Sequence, residues 1–594
     1  MEVLHLIKPA RYSSAQSRHR TSFKAHVLIA IVGVLLLLTV EGGELSSSSE
    51  SAGSSTSAPD VPHIIFFLID DQGYDDIGYQ STSNGYMAEF TPSLDAAAES
   101  GVKLTWYYSD HLCSPSRASI MTGKNLLHHG VSHNVLSEKS ANALSLNHKI
   151  LPQFLNDAGY ISHAIGKWHL GFFNHKFLPT SRGFESYMGY YSGGFDYYAH
   201  YVLWGTTKMY DLHLDQGIFG DTSTYSLELF DQRAEEVIKS HDSDQPLFLY
   251  YATHGIHGTY SDPPPKMLTE TQNEIAVNTV LNETGSTQRE YLVKTAAAVD
   301  HTFYNLIEYL TEKGMYENSI IIVASDNGGC SNTMGSNYPL RGQKNTMFEA
   351  AFRVSAFVHS PLLGDAQGTE LDCMMHNVDW LPTILHGIVG WEGDLGPLDG
   401  VNHWDDIVKA DKSQVTCARQ EMIHQLEVGD KWGGTYFEDT LRAGLRLGDF
   451  KLVYGQDELG WWDDRSYSAA DCHSVPTYWP NFGYVFNLAD DYTEQHNLMD
   501  IVDDAVLSSL WRRLDYYFQK MANPAWRGAD NNAREEWIRN DYWMRPWVED
   551  TDMHSPEDPW QAEMAEENSI RIEDGHTHAE RTPRTRTDDG SRQQ

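Results

Sequence analysis

The stretch CSPSRASIMTGK, Cys113–Lys124, sets a cysteine just ahead of Ser, Pro and Ser, with Arg117 one helical turn further on. Ser114 fits a helix N-cap, Pro115 the first turn and Gly123 the C′ position, so a loop here enters a short helix. A thiol at the positive end of that helix would be acidified and reactive. Read locally, a buried structural cysteine fits as well. Two acidic pairs raise the stakes: Asp70-Asp71 and Asp326-Asn327 each close an apolar run. Three carboxylates and an amide oxygen form a hard, all-oxygen ligand set that suits Ca2+ or Mg2+ better than zinc. Acids at strand ends also cap turns, but two such pairs, one followed by Gly-Gly, favour a metal centre. GKWHLG adds Lys167 and His169, PLRGQK adds Lys344, and the opening motif adds Arg117. Together these groups describe a cation-lined pocket for a tetrahedral oxyanion beside a hard metal ion.

The elements that must position them can also be read. HIIFFLIDD, PLFLYYATHGIH and SIIIVASDNGG have the continuous apolar character of strands buried on both faces. In open α/β sheets, ligands sit beyond the carboxyl ends of the strands, so these three ends are expected to meet at one site. From residue 63 to about 430, strand-like and helical runs alternate, which argues an α/β domain with a mixed, mainly parallel sheet between helices. EFTPSLDAAAESG and KILPQFLNDAGY read as helices ending at Gly101 and Gly159. Past about 440, shorter polar strands such as LRAGLRLGDFKLVYG predict a smaller antiparallel domain, with AVLSSLWRRLDYYFQKMA as a helix packed on it. The expected division is 1–42 targeting segment, 43–61 Ser-rich linker, 62–435 catalytic domain, 436–548 smaller domain and 549–594 polar, disordered tail.

Composition narrows the partners. The 594 residues carry 43 Lys+Arg against 82 Asp+Glu, a formal net charge of -39, which repels nucleic acid and anionic membranes. An anionic substrate must therefore be drawn by a local basic site. A basic N-terminus precedes the apolar run Val27–Val40, which falls short of the roughly 20 residues of a membrane span. It reads as a secretory signal peptide cleaved after Gly42, or else a signal anchor, so the body enters an oxidising compartment, lysosomal or extracellular. Five cysteines leave one outside any intramolecular disulfide. Cys113 is the expected odd one out, Cys417 is expected to pair with Cys472, and Cys330 with Cys373 by elimination. Asn282 begins an N-glycosylation sequon.

CSPSRASIMTG resembles the signature of the type I sulfatases, in which the cysteine becomes formylglycine (3-oxoalanine). DDQGYDDIGY, GKWHLG, FLPTSRGFESYMGYYSGGFDYY, ASDNGG, NYPLRGQK and FNLADDYTEQHNL resemble further blocks of that family, in family order, over about residues 61–500. The segments LPTSRGF…GYYSGGFDYY and PLRGQKNTMFEAAFRV are most similar to its arylsulfatase B (N-acetylgalactosamine-4-sulfatase) branch.

The resemblance implies an alkaline-phosphatase-like large domain with a smaller C-terminal sheet domain. It implies one Ca2+ held by Asp70, Asp71, Asp326 and Asn327. Cys113, converted by a formylglycine-generating enzyme, would be the nucleophile and would also touch the metal. Arg117 and His169 would hold and activate its hydrate. Lys167 and Lys344 would bind sulfate, and His257 would face the leaving oxygen. The segment IHGTY lacks the proline usual after that histidine, which keeps His254 as a rival. The implied substrates are sulfated amino sugars of glycosaminoglycans and small aryl sulfates. Two other readings remain: a phosphomonoesterase or phosphodiesterase of the same superfold, and a secreted protein that binds sulfated glycans without turnover.

Overall fold

The computed structural model describes residues 61–550, except 83–84, 429–440, 457–471, 473–482, 523 and 525–526. The targeting segment 1–42, nearly all of the linker 43–61 and the tail beyond 550 therefore lie outside the described residues. Order begins where the first apolar run predicts it, at β1 (His63–Ile69), every residue of which is buried. Its side chains alternate between two cores. Ile64, Phe66 and Leu68 join one face, and Ile65, Phe67 and Ile69 join the other. That two-sided burial is why the run is apolar at every position rather than at every second one.

The remaining strands follow in chain order: β2 (Val102–Tyr108), β3 (Ile161–Lys167), β4 (Ser186–Tyr190), the hairpin β5 (Tyr201–Trp204) and β6 (Thr207–Tyr210), β7 (His213–Leu214), β8 (Gly217–Ile218), β9 (Leu247–Thr253), β10 (Ser319–Ser325), β11 (Ala356–His359) and β12 (Thr369–His376). All but β5 and β6 form one sheet of ten strands, ordered β12-β2-β11-β10-β1-β9-β3-β4-β7-β8. The centre is parallel, β10-β1-β9-β3-β4, and β11 lies antiparallel to both β10 and β2. Helices Ser226–Ser240 and Thr287–Lys313 cover one face. The helix opened by Cys113 and the helix Leu151–Asp157 cover the other. The helix Pro92–Ser100 ends at Gly101, as its sequence predicts, and Gly159 follows the helix Leu151–Asp157 with φ +88°.

A second, fully antiparallel sheet comprises β13 (Glu421–Val428), β14 (Leu441–Leu447), β15 (Phe450–Tyr454) and β16 (Gly483–Asn487). It starts at Glu421, upstream of the expected boundary at 435. One face packs Ile423, Leu445, Leu452 and Val485 against Leu510, Leu514 and Tyr517 of the helix Asp504–Lys520. The other face packs Met422, Val453 and Phe486 against Tyr108, Phe348 and Phe352 of the large domain. The predicted α/β class and antiparallel companion are therefore both present.

The disulfides differ from expectation. Cys330 pairs with Cys472 and Cys373 with Cys417, while Cys113 is free and buried. Cys373 and Cys417 are consecutive cysteines, whereas Cys330 and Cys472 lie 142 residues apart and meet because the fold decides which segments come together. Cys373 lies on β12, and Cys330 follows β10, where Asn345 Nδ2 also donates to the Cys472 carbonyl at 3.1 Å. The Asn282 sequon sits exposed in the short helix Leu281–Thr284.

Candidate active site

The three strand ends meet. Asp70 and Asp71 follow β1, Asp326 and Asn327 follow the adjacent parallel β10, and His254 and His257 follow β9 on the other side. Asp71 turns the chain with φ +58°, a left-handed conformation that aspartate tolerates better than most residues. Ligand atoms of Asp70, Asp71, Cys113 and Asp326 all lie within 4.8 Å of one another, and all four residues are buried.

Cys113 is itself the first residue of the helix Cys113–Thr122, with Leu112 as N-cap, two positions ahead of the predicted cap Ser114. Ser114 does not cap. Its hydroxyl donates to the His169 carbonyl and accepts from the Leu136 amide, each at 3.0 Å. The predicted C-terminus holds, with Gly123 left-handed at φ +64°. The Cys113 sulfur lies 3.7 Å from Asp70 Oδ1 and 3.8 Å from Asp71 Oδ1. The acidified thiol expected at this helix end is not found. Burial pushes the Cys113 thiol up to about 12, against the pull of Lys167 and Lys344.

Each carboxylate has a cationic partner. Lys167 Nζ donates to both oxygens of Asp70, at 3.0 and 2.8 Å, and Lys344 Nζ to both oxygens of Asp71, at 2.6 and 2.8 Å. Arg117 donates through Nε and Nη2 to Asp326 Oδ2, at 3.1 and 2.7 Å, and through Nη1 to the Lys167 carbonyl. Burial alone would raise the Asp71 carboxyl, but Lys344, His257 and Lys167 hold it well below the usual range. Burial, with Asp70 beside it, raises the Asp326 carboxyl to about 6 despite Arg117.

Asn327 turns its amide nitrogen to Asp71 Oδ1, at 2.7 Å, while its buried Oδ1 has no hydrogen-bond partner among the described residues. An orphaned amide oxygen beside three carboxylates is the donor set a hard divalent cation requires, and it fits.

The histidines separate clearly. His257 Nε2 lies 3.8 Å from Asp71 Oδ2. His254 is buried, stacked on Tyr197 at 3.9 Å between ring centroids, with Nδ1 beside the Ser226 hydroxyl. It faces an aromatic cluster rather than the carboxylates. His169 Nε2 meets the Leu136 carbonyl at 3.2 Å; a carbonyl only accepts, so Nε2 carries the proton and Nδ1 holds the lone pair. That Nδ1 is buried and has no partner among the described residues. Burial and the surrounding cations, Lys167 first, keep the His169 ring neutral. The Leu136 carbonyl went unread in the sequence because a backbone group leaves no compositional signal.

Fold and site together define an α/β protein with a buried carboxylate–cation centre at the carboxyl ends of its parallel strands. The sulfatase family model matches residues 62–388, and the chain belongs to that family. It is 32% identical over 508 residues to arylsulfatase J of Mus musculus, covering 82% of this chain and 80% of that relative. It is 26% identical over 484 residues to arylsulfatase A of Bos taurus, with 77% and 87% covered. With the N-acetylgalactosamine-6-sulfatase of Homo sapiens it shares 28% over 331 residues, covering 52% of this chain and 58% of the relative. The solved structure of Ps i-CgsB superposes with a TM-score of 0.64 at 22% identity, over 81% of this chain and 98% of that one. The phosphonate monoester hydrolase of Agrobacterium radiobacter shares the fold at a TM-score of 0.51 and 16% identity, over 77% and 96%. The protein is a sulfatase, and neither the phosphoesterase nor the purely glycan-binding reading is favoured.

Proposed function

We propose that this sulfatase removes sulfate from sulfated amino sugars of glycosaminoglycans, in the manner of arylsulfatase B, and also accepts small aryl sulfates. It would do so with one Ca2+ and with Cys113 oxidised to formylglycine by a formylglycine-generating enzyme. The observation that carries the reading is the buried Cys113 at a helix start, ringed by Asp70, Asp71, Asp326 and Asn327 and by Lys167, Lys344 and Arg117. The substrate class draws on the arylsulfatase B-like segments and on the printed names of relatives, among them an N-acetylgalactosamine-6-sulfatase.

Asp70, Asp71, Asp326 and Asn327 would hold the cation, which supplies Lewis-acid stabilisation of negative charge. Formylglycine at position 113 would supply, as its hydrate, a nucleophilic hydroxyl with a second hydroxyl on the same carbon. Lys167 and Lys344 bind sulfuryl oxygens and offset the charge that grows on them. Arg117 fixes Asp326 and the Lys167 main chain, so the charged groups need not reorganise during reaction. His169 accepts a proton at Nδ1, and His257 gives one to the leaving alcohol oxygen. The setting is the secretory pathway, lysosomal or extracellular, supported by two disulfides and the apolar N-terminal run. No helix among the described residues is long and apolar enough to cross a membrane.

Protein expressed through a secretory pathway should show an aldehyde in the peptide containing residue 113. It should lose aryl sulfatase activity on chelation and regain it with Ca2+. It should also release sulfate from N-acetylgalactosamine 4-sulfate oligosaccharides. An unmodified cysteine in fully active protein, or indifference to chelation, would refute the reading.

A further inference from the structure

Two consecutive glycines in YYSGGFDYY lie against the two histidines of the site, yet neither adopts the left-handed backbone that by itself calls for glycine. A Cβ on Gly193 would stand 2.8 Å from His169 Cε1 and 3.0 Å from its Nε2. A Cβ on Gly194 would stand 2.8 Å from His257 Cε1 and 3.0 Å from its Nδ1. Both rings therefore rest on bare backbone, and what glycine provides here is room.

That backbone is pinned. Asp211, wholly buried, accepts from the amides of Tyr191 and Ser192 at 3.1 and 2.8 Å, and His213 Nε2 lies 2.9 Å from it. The Tyr191 ring stacks on His213, with centroids 4.0 Å apart. On the far side of the glycines, Phe195 stacks on Tyr190 at 4.1 Å. The chain between these anchors cannot retreat from an added methyl group. The His257 side chain, 12% exposed, would be displaced first.

We propose that Gly194 is a positioning residue for the leaving-group histidine: its bare backbone, anchored through Asp211, sets where the His257 ring stands against the ester oxygen. Gly193 sets the His169 ring in the same way. The inference rests on the assignment of His257 as the proton donor, so the test must separate the two claims.

The holoenzyme would be compared as wild type, Gly194→Ala, His257→Ala and the double variant on aryl sulfates of rising leaving-group pKa. Phenolates that leave easily need little protonation, so 4-nitrophenyl sulfate should be the less affected. Gly194→Ala is expected to lower kcat about tenfold more on phenyl sulfate than on 4-nitrophenyl sulfate. In the His257→Ala background it should add less than about twofold, because the ring it displaces is gone. The Cε1 proton resonance of His257 should move in Gly194→Ala while that of His169 stays. Equal losses on both substrates, or an undiminished loss in the His257→Ala background, would overturn the proposal. Should His257→Ala show no leaving-group dependence, the proton-donor assignment fails and an unmoved His257 resonance overturns the positioning claim as well. Should Gly194→Ala not fold, folding of the double variant would confirm the ring clash, and its failure would overturn it.

Discussion

At position 113 a serine offers one hydroxyl where a hydrated aldehyde offers two. Cys113→Ser leaves Asp70, Asp71, Asp326 and the three cationic side chains in place, so binding should persist. It should release at most about one equivalent of alcohol per enzyme and then stall, because no second hydroxyl can expel sulfate. A rapid-quench burst without turnover would show this, and sustained turnover would sink the two-hydroxyl scheme. A second residue carries a pH prediction. Asp110 is fully buried, with the Ser119 hydroxyl beside its carboxylate and His376 Nε2 3.9 Å away. Burial pushes its carboxyl up to about 7. Between about pH 4 and pH 7 the folded protein thus keeps a proton that the unfolded chain gives up. Stability falls as pH rises through that window, by up to about 1.4 kcal/mol per unit. Asp110→Asn, neutral and nearly isosteric, should flatten that fall in melting temperature between pH 4.5 and 7; parallel curves would refute it.

Among the elements, the junction of the two sheets holds a buried ion triad. Lys451 on β15 lies 2.9 Å from Glu349 Oε1 and 2.8 Å from Glu494 Oε1, all without solvent exposure. Tyr108, at the end of β2, donates to Glu349 Oε2 at 2.6 Å. Lys451→Met removes the cation shared by Glu349 and Glu494, leaving Glu349 to Arg446 and Arg353, and should cost about 3 kcal/mol, read as a lower denaturant midpoint. Adding Glu349→Gln and Glu494→Gln should recover most of it; no recovery would mean that the lysine acts by packing alone. Much at this scale was legible. β1, β9 and β10 announced themselves because burial on both faces demands an unbroken apolar run, and the polar residues ending each run marked the sheet edge where ligands gather. The place of β11 between β2 and β10 was not legible, and neither were the disulfide partners, since both are set by packing between segments far apart in the chain. The shift of the nucleophile helix by two residues escaped for the opposite reason. Ser114 has the chemistry of a cap, but a closer tertiary contact with His169 claimed its hydroxyl.

The whole molecule is a polyanion, with a formal charge of -39, whose site holds Lys167, Lys344 and Arg117 beside three carboxylates. A polymeric sulfated substrate is repelled at long range and attracted only on contact. Raising ionic strength from about 10 to 150 mM shortens the screening length from about 30 to 8 Å, so kcat/KM on a long sulfated glycan should rise. On a singly charged aryl sulfate it should change much less. A falling rate on the polymer would point to an extended basic groove instead. Cys113 brings a consequence of another kind, one of timing. The residue is 1% exposed, and Asp326 and Lys344, far downstream, lie close to it. Any enzyme that oxidises it must arrive before that burial exists. During synthesis at about 5–20 residues per second, the interval between residues 113 and 344 lasts tens of seconds. Cys113 is also the first of the five cysteines to emerge, and until residue 330 follows the chain offers it no partner for a wrong disulfide. The spacing of cysteines along the chain thus protects, in time, the one cysteine that ends in neither disulfide.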